Sequence, residues 1–425
     1  MANFDMAVGI DGGTMDQGSK IIYEKLYPKL FTGSQKIKLE GIDFTVGWNV
    51  KSAPTFTLSA PSNPEALIRA HLMDWNHQYP VEKQTIVETY LNSMSGSIFQ
   101  MNMKDVEMTV SSTSHSGTDQ VDVTIIVEAS STNGVMTLNP IKATGKTSNP
   151  SDQSLINSVI LPQAMTMART ILSGINLPPL KFGDVKLTAP NLIVTQNHIV
   201  ALANLEGKSV PAPPFPSSWP SNPFFALLSS DAKMEMAKTS TSYINGKSFG
   251  KSGKIGFKIG DLHYGAKITM GTLSIADAGA TSIKFETTGT GNVNAGIKIG
   301  CTNIGINYDL YAKPKLAGQI DLSIENGVNI VAKTSKTDTF VLVLKPSGNP
   351  IEWILSAITD PLLQTITAAF SPLISTLFNG YSYNTGPLPS IPIAIDGITL
   401  TATPTGVTLG DYNGMMSATG NINIS

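Results

Sequence analysis

Charge is scarce in this sequence. Only 14% of its 425 residues are Asp, Glu, Lys or Arg, whereas an average soluble domain carries about 25%. The formal net charge is −2, so the chain lacks the excess of lysine and arginine that binding to nucleic-acid phosphates requires. Long solvated helices are therefore disfavoured, and nucleic acid is not an expected partner.

Cysteine is almost absent as well. Cys301 is the only one, which excludes an intrachain disulfide and permits a reducing compartment. Residues 1–13 have no basic start followed by an apolar run, so they do not resemble a secretory signal peptide. We expect a cytoplasmic protein, or one exported without a cleavable signal peptide.

The sequence also lacks a long uninterrupted apolar run. In residues 353–378 Asp360 is the only charge, but Pro361 and Pro372 interrupt the stretch. A membrane-spanning helix needs about 20 mostly apolar residues. We therefore predict a helix buried within the protein and no transmembrane span.

What the sequence does contain is a pattern of short strands. Residues 293–302 alternate apolar side chains with polar residues and glycine, which is the period of a half-buried strand. Asn326-Gly327 and Asn133-Gly134 follow similar runs, and Asn-Gly favours the tight turn that joins antiparallel strands. A protein rich in antiparallel strands is predicted.

One helix is predicted near the N-terminus. Thr14 can cap it, and Gln17 stands three residues later, as in a capping box. Ile22, Leu26 and Leu30 recur at four-residue intervals and form an apolar stripe. Such a stripe needs a partner, which a twisted sheet supplies.

A proline-rich segment lies at the middle of the chain. Residues 209–223 contain six prolines, which predicts a stiff, extended connector. We therefore divide the chain into a module over 1–208, a connector over 209–223 and a second module over 224–425.

The two modules resemble each other. Each ends with an apolar helix, over 153–173 and 351–378, that is followed by strands. The sequence KLTAP at 186–190 matches TLTATP at 399–404. This similarity predicts a tandem duplication.

A glycine-rich motif near the N-terminus has two interpretations. GIDGGT, residues 9–14, resembles the first phosphate loop of sugar kinases. The second phosphate loop and the adenosine loop of such enzymes are not recognisable in the sequence. A glycine turn that leads into the helix is favoured, and a phosphotransferase using Gly9 to Thr14 is a distant alternative.

A second motif repeats Gly-Lys-Ser within residues 245–254. A P-loop would need glycine where Thr241 and Asn245 stand. The favoured interpretation is a solvated hairpin. The alternative is a surface that contacts anionic lipid head groups, through Lys247, Lys251, Lys254 and Lys258.

No reactive side chains gather in the sequence. The histidines lack zinc-binding spacing, no nucleophile elbow occurs, and Cys301 falls in the apolar row of a predicted strand. We predict no catalytic residue, no metal and no cofactor, and therefore no enzyme. Methionine is frequent, with 16 residues, and it adapts to core gaps and to acyl chains alike.

Three segments resemble a known family. They are DFTVGWNVKSAPTFTLSAP (43–61), SLINSVILPQAM (154–165) and LPSIPIAIDGITLTATPTGVTLG (388–410). With the apolar helices and the proline-rich link, they resemble the tubular lipid-binding (TULIP) superfamily, which includes the bactericidal/permeability-increasing protein. More narrowly, they are similar to the forty-seven-kilodalton and OrfX proteins of clostridial neurotoxin gene clusters, which are bacterial.

The resemblance implies an α+β fold of two elongated modules, each a long apolar helix wrapped by a highly twisted antiparallel sheet. It implies non-catalytic binding of a lipid, a fatty-acyl chain or another apolar ligand between helix and sheet, with peripheral membrane contact. The alternative is an accessory protein of a toxin or secretion gene cluster, with closed modules and protein partners from that cluster. The residues expected to line the ligand site are Leu26, Leu30, Met165, Leu172, Ile366, Phe370 and Leu377.

Overall fold

The computed structural model describes most of the chain. The described residues are 3–39, 42–58, 98–112, 116–132, 134–161, 165, 175–176, 185–195, 197–241, 245–257, 260–299, 302–313, 315–339, 341–346, 382–388, 391–395 and 398–425. The predicted helix 351–378 lies outside them. So do five predicted site residues, namely Leu172, Lys258, Ile366, Phe370 and Leu377.

Antiparallel strands make up most of the described chain. The strands are β1 (Met6–Asp11), β2 (Thr32–Leu39), β3 (Ile42–Val50), β4 (Thr55–Thr57), β5 (Ile98–Ser111), β6 (Ser116–Thr132), β7 (Val135–Lys146), β8 (Ile175–Asn176), β9 (Asn191–Val194), β10 (His198–Ala203), β11 (Phe224–Leu228), β12 (Ser248–Phe257), β13 (Gly260–Met270), β14 (Ser274–Gly279), β15 (Ser282–Thr287), β16 (Gly289–Ile299), β17 (Thr302–Lys313), β18 (Leu316–Glu325), β19 (Asn329–Thr337), β20 (Val341–Pro346), β21 (Ser382–Pro387), β22 (Ile391–Ile395), β23 (Ile398–Tyr412) and β24 (Met415–Ile424). The helices are α1 (Gly12–Leu26), α2 (Pro150–Leu155), which continues as a π-helical turn (Ile156–Ile160), and α3 (Ser230–Thr241). The predicted α+β character with twisted sheets is confirmed.

Both predicted hairpins are confirmed. Asn326 and Gly327 join β18 to β19 with φ angles of 52° and 78°, and Gly134 joins β6 to β7 with a φ of 77°. Positive φ is accessible to glycine and tolerated by asparagine, which is why Asn-Gly specifies these turns.

The N-terminal helix differs from its prediction at both ends. Its N-cap is Asp11, whose Oδ1 accepts the Thr14 N–H at 2.8 Å, so the predicted Thr14 cap is wrong. The helix ends at Leu26, and Leu30 lies beyond it. Pro28 explains the end, because proline pushes the preceding residue into extended backbone, and Tyr27 has ψ 136°.

A seven-stranded sheet at the centre combines strands from both sides of the connector. Its order is β22-β23-β24-β11-β1-β10-β9. The first strand, β1, lies between β10 and β11, with Val8 opposite Ala201 on one side and Ala226 on the other. The connector therefore runs from one neighbour of β1 to the other.

Three further antiparallel sheets flank this central sheet. The N-terminal sheet has the order β2-β3-β5-β6-β7-β8, with β4 also paired to β5. The C-terminal part has two five-stranded sheets, β12-β13-β16-β17-β20 and β14-β15-β18-β19-β21. Apolar side chains fill the C-terminal sheets, α3 and one face of the central sheet as one cluster, and the inner face of the N-terminal sheet as another.

The connector covers the opposite face of the central sheet. Trp219 stacks on Phe4 and on Phe225, with ring centroids 5.7 and 5.8 Å apart. Phe215 packs against the same apolar cluster, which includes Leu202. The proline-rich segment is therefore a packed part of the fold.

A buried lysine fixes α3 to the neighbouring sheet. Lys233 Nζ lies 2.6 Å from Asp277 Oδ1, and the lysine side chain is 2% exposed. Lys233 also donates to the carbonyl oxygens of Gly279 and Ser282. Asp277 accepts further hydrogen bonds from the Ser230 hydroxyl and the Gly279 N–H.

Acid is expected to weaken the interaction between Lys233 and Asp277. Burial of Asp277 opposes its ionisation, but hydrogen bonds from Lys233, Ser230 and Gly279 outweigh burial and lower its pKa from 3.8 to about 2. A carboxyl whose pKa is lower in the folded chain contributes stability above its unfolded pKa and loses it as the pH falls. Urea titrations should show the free energy of unfolding declining between about pH 4 and pH 2, with a smaller decline in Asp277→Asn. An equal decline in both proteins would contradict the prediction.

Candidate functional site

The inner face of the N-terminal sheet is lined by apolar side chains from its two longest central strands. On β5 they alternate up to Met103, and the bulge at 104–105 then keeps Val106 on the same face. Asp105 has a φ of 52° at this bulge. The inward residues of β5 and β6 are Phe99, Met101, Met103, Val106, Met108, Val110, Val121, Val123, Ile125, Val127 and Ala129.

Three methionines of β5, namely Met101, Met103 and Met108, lie on this face. Met108 is buried, whereas Met101 and Met103 are only partly buried. Met15, from α1, packs against the same cluster. On the adjoining strand β4, Phe56 contacts Phe99 with ring centroids 6.0 Å apart. The result is an adaptable apolar wall that is not fully covered.

Helix α2 and its π-helical turn lie against one side of this wall. Ile156, Ile160 and Leu161 are buried in the same cluster. A methyl carbon placed on Gly145 of β7 would lie 2.8 Å from Ile156 Cγ2 and 3.3 Å from Leu161 Cδ1. Glycine at this position therefore permits the close approach of helix and sheet. We use the word slot for the place where α2 faces the inner face of the sheet, next to the partly buried Met101 and Met103.

Asn157 binds the helix to the sheet edge. Its Oδ1 accepts the Gly145 N–H at 2.6 Å, and its Nδ2 donates to the Gly145 carbonyl at 2.9 Å. Within the described part of the chain, β8 consists of two residues, which pair with Val135 and Met136 of β7. The Asn157 amide thus takes the place of a neighbouring strand at Gly145.

Helix α1 lies on the other side of the wall. Asp16 Oδ1 accepts the Phe56 N–H at 2.7 Å, which joins the helix to β4. Burial raises the pKa of the Asp16 carboxyl, the nearby Asp11 charge adds to the rise, and the Phe56 hydrogen bond opposes it. Met15, which precedes Asp16 in α1, and Phe56 both pack against the apolar cluster of the inner face.

The predicted lining residues are only partly brought together. Leu26 is buried in the last turn of α1, Leu30 is half-buried beyond it, and Met165 is buried after α2. Among the described residues, the apolar cluster of the inner face includes Met15 and Phe31 from the N-terminal region rather than Leu26 or Leu30. The other four predicted residues lie outside the described chain.

Several residues of the slot were missed from the sequence. The alternation over 98–111 and 121–129 is a signal that would have found Phe99, Val123 and Ile125. Gly145 and Asn157 have no comparable signal, because their pairing joins two elements through a single side chain.

Three of the four predicted head-group lysines lie in the described part of the chain. Lys247 precedes β12 and is exposed, and Lys251 and Lys254 belong to β12. Lys254 Nζ pairs with Asp261 Oδ2 at 2.7 Å. The favoured hairpin is confirmed, since β12 pairs with β13 along its length.

The described residues contain no group of three or more His, Cys, Asp or Glu side chains that could hold a metal ion. No helix within the described part of the chain has the length and apolarity to cross a membrane.

Comparison with known proteins finds structural neighbours only. No protein-family model matches the chain, and no curated protein sequence matches it. The crystal structure of P47 of Clostridium botulinum E1 is similar over 99% of this chain and 100% of that chain, with a TM-score of 0.48 and 10% identity. P47 from Clostridium botulinum A2 gives 99% and 97% coverage, a TM-score of 0.48 and 9% identity.

A lipopolysaccharide binding protein is also a structural neighbour. Its crystal structure is matched over 99% of both chains, with a TM-score of 0.33 and 12% identity. Clostridial P47, whose group the sequence motifs resemble, is thus among the structural neighbours.

Proposed function

We propose that the protein binds a lipid or another apolar ligand, without catalysis, in the slot between α2 and the inner face of the N-terminal sheet. The observation that carries the proposal is the partly buried methionine pair, Met101 and Met103, in a wall that is otherwise apolar. Burial of each methylene of an acyl chain contributes about 0.8 kcal/mol. Methionine side chains adapt to such a chain at little cost.

The described inward residues of β5 and β6 offer the ligand no charge to bind. The β5 and β6 residues on the inner face, from Phe99 to Val106 and from Val121 to Ala129, are all apolar. Aspartates 105 and 122 are joined to each other at the bulge, where Asp122 Oδ1 accepts the Asp105 N–H. An uncharged, flexible, apolar ligand fits this lining better than a nucleotide or a sugar does.

The two-module organisation forms part of the proposal. In the central sheet β1 leads into α1, and its neighbour β11 leads into α3. Strand β10 flanks β1 on one side, as β24 flanks β11 on the other. This matching order supports a tandem duplication, with modules over 1–208 and 224–425.

Filling the slot tests the proposal. Met103→Trp should reduce the amount of lipid that co-purifies with the full chain, measured by native mass spectrometry, to less than about a third, because the indole occupies the ligand space. Thr124→Trp is the matched control, since it adds the same bulk on the opposite face of the sheet. A wild-type chain that carries no lipid and takes none from liposomes would refute the proposal and favour a closed accessory protein.

A further inference from the structure

We propose that Asn157 and Gly145 form a latch that controls opening of the slot. The latch is the pair of hydrogen bonds between the Asn157 amide and the Gly145 backbone, at 2.6 and 2.9 Å. This inference rests on the proposed ligand binding and adds to it the step by which the ligand enters.

At the latch, Asn157 rather than any strand of the described chain pairs with the backbone of Gly145. Gly145 lies nine positions beyond Met136, the last residue of β7 that pairs with β8. A backbone N–H and C=O at a sheet edge need partners, and Asn157 supplies both from one side chain. Breaking the two hydrogen bonds leaves groups that water can satisfy, so the edge can open and close reversibly.

The helical side of the latch is a π-helical turn. Asn157 is the second residue of the turn Ile156–Ile160, and π-helical turns often occur at functional sites because they interrupt the regular helix. The adjoining Ile156 lies over Gly145, whose missing side chain lets it approach. The apolar contact of Ile156 and the hydrogen bonds of Asn157 therefore both attach the helix to the sheet at Gly145.

The latch adjoins the proposed ligand. Gly145 is opposite Val123, and Val123 is opposite Met103. These three residues form one row across the inner face, so movement of α2 away from Gly145 uncovers the side of the slot next to Met103. Release of the latch is thus a direct route for an acyl chain to reach the methionines.

The test is the exchange rate of a bound, uncharged fluorescent lipid. Asn157→Leu preserves size but removes both hydrogen bonds, and dissociation of a pyrene-labelled fatty alcohol from the full chain should become about tenfold faster. Asn102→Leu is the matched control. Asn102 also makes two side-chain hydrogen bonds, to Thr57 and Thr124 at 3.1 Å each, and it lies on the opposite face of the same sheet, so its loss should leave the rate unchanged.

A second variant covers the case in which Asn157→Leu does not fold. Gly145→Ala keeps the asparagine but forces Ile156 away, so the rate should rise in the same direction. Rates equal to wild type in the folded variants would overturn the latch. If the wild type does not bind the probe, the proposed function is refuted. The latch is then tested separately by amide hydrogen exchange. Faster exchange of the Gly145 amide in Asn157→Leu, with β6 amides unchanged, would support the latch, and unchanged exchange would refute it.

Discussion

The substitution Asp277→Ala is expected to lower the free energy of unfolding by about 3–5 kcal/mol, the cost of leaving a buried charge without its partner. Lys233 is the charge concerned. Its ammonium is held by Asp277 at 2.6 Å within a side chain that is 2% exposed. The carbonyls of Gly279 and Ser282 also contact it, but they carry no net charge to balance the ammonium.

Replacing the lysine instead of the aspartate should lower the free energy of unfolding much less. Lys233→Met fills the buried volume with an apolar side chain and leaves Asp277, which is 37% exposed, in contact with water. We expect a loss below about 1.5 kcal/mol, because replacing a buried ionic group by a hydrophobic one of similar shape is often close to neutral. Urea unfolding of both variants at neutral pH measures the difference. Equal losses, or a larger loss for Lys233→Met, would show that Asp277 does not serve to neutralise the lysine.

The second large effect on stability is expected when the indole of Trp219 is removed. Trp219→Ala should lower the free energy of unfolding by about 3 kcal/mol, the lower end of the range for a truncated aromatic, since the side chain is only half-buried. The stacking of its ring on Phe4 and Phe225 would be lost. These contacts fix the connector to the central sheet.

A neighbouring residue of the connector provides the control. Val210 is 51% exposed, and Val210→Ala should change the free energy of unfolding by less than about 0.5 kcal/mol, as is usual for surface sites. The thermal and urea unfolding transitions of Trp219→Ala should therefore differ clearly from those of Val210→Ala. If Trp219→Ala behaves like Val210→Ala, the connector is a passive link and its packing contributes nothing to stability.

The sequence predicted best those features that depend on neighbouring residues. The Asn326-Gly327 turn and the strand predicted over 293–302, which ends at Ile299 in the structure, are local consequences of backbone preference and of alternation. The gathering of Met101 and Met103 on one face follows from the same two-residue period. Each of these was recoverable because no distant residue decides it.

Features that depend on distant residues were not recoverable. Asp11 rather than Thr14 caps α1, because the helix starts where β1 ends, and that boundary is set by pairing within the central sheet. The ion pair of Lys233 with Asp277 joins a helix to a strand that is far away in the sequence. The pairing of Asn157 with Gly145 depends on where an edge strand stops. Neither the composition nor the hydrophobic period of the sequence shows which distant residues come into contact.

The position of β1 also bears on how the chain is made. β1 leaves the ribosome about 190 residues before β10 (198–203) and still longer before β11 (224–228), its two partners. Pairing over such sequence distances is slow to form. Until β10 has emerged, β1 has two open edges, and until β11 follows it keeps one, and an open edge invites pairing with another chain. Nascent chains therefore pass through a long window in which the first strand is vulnerable to aggregation.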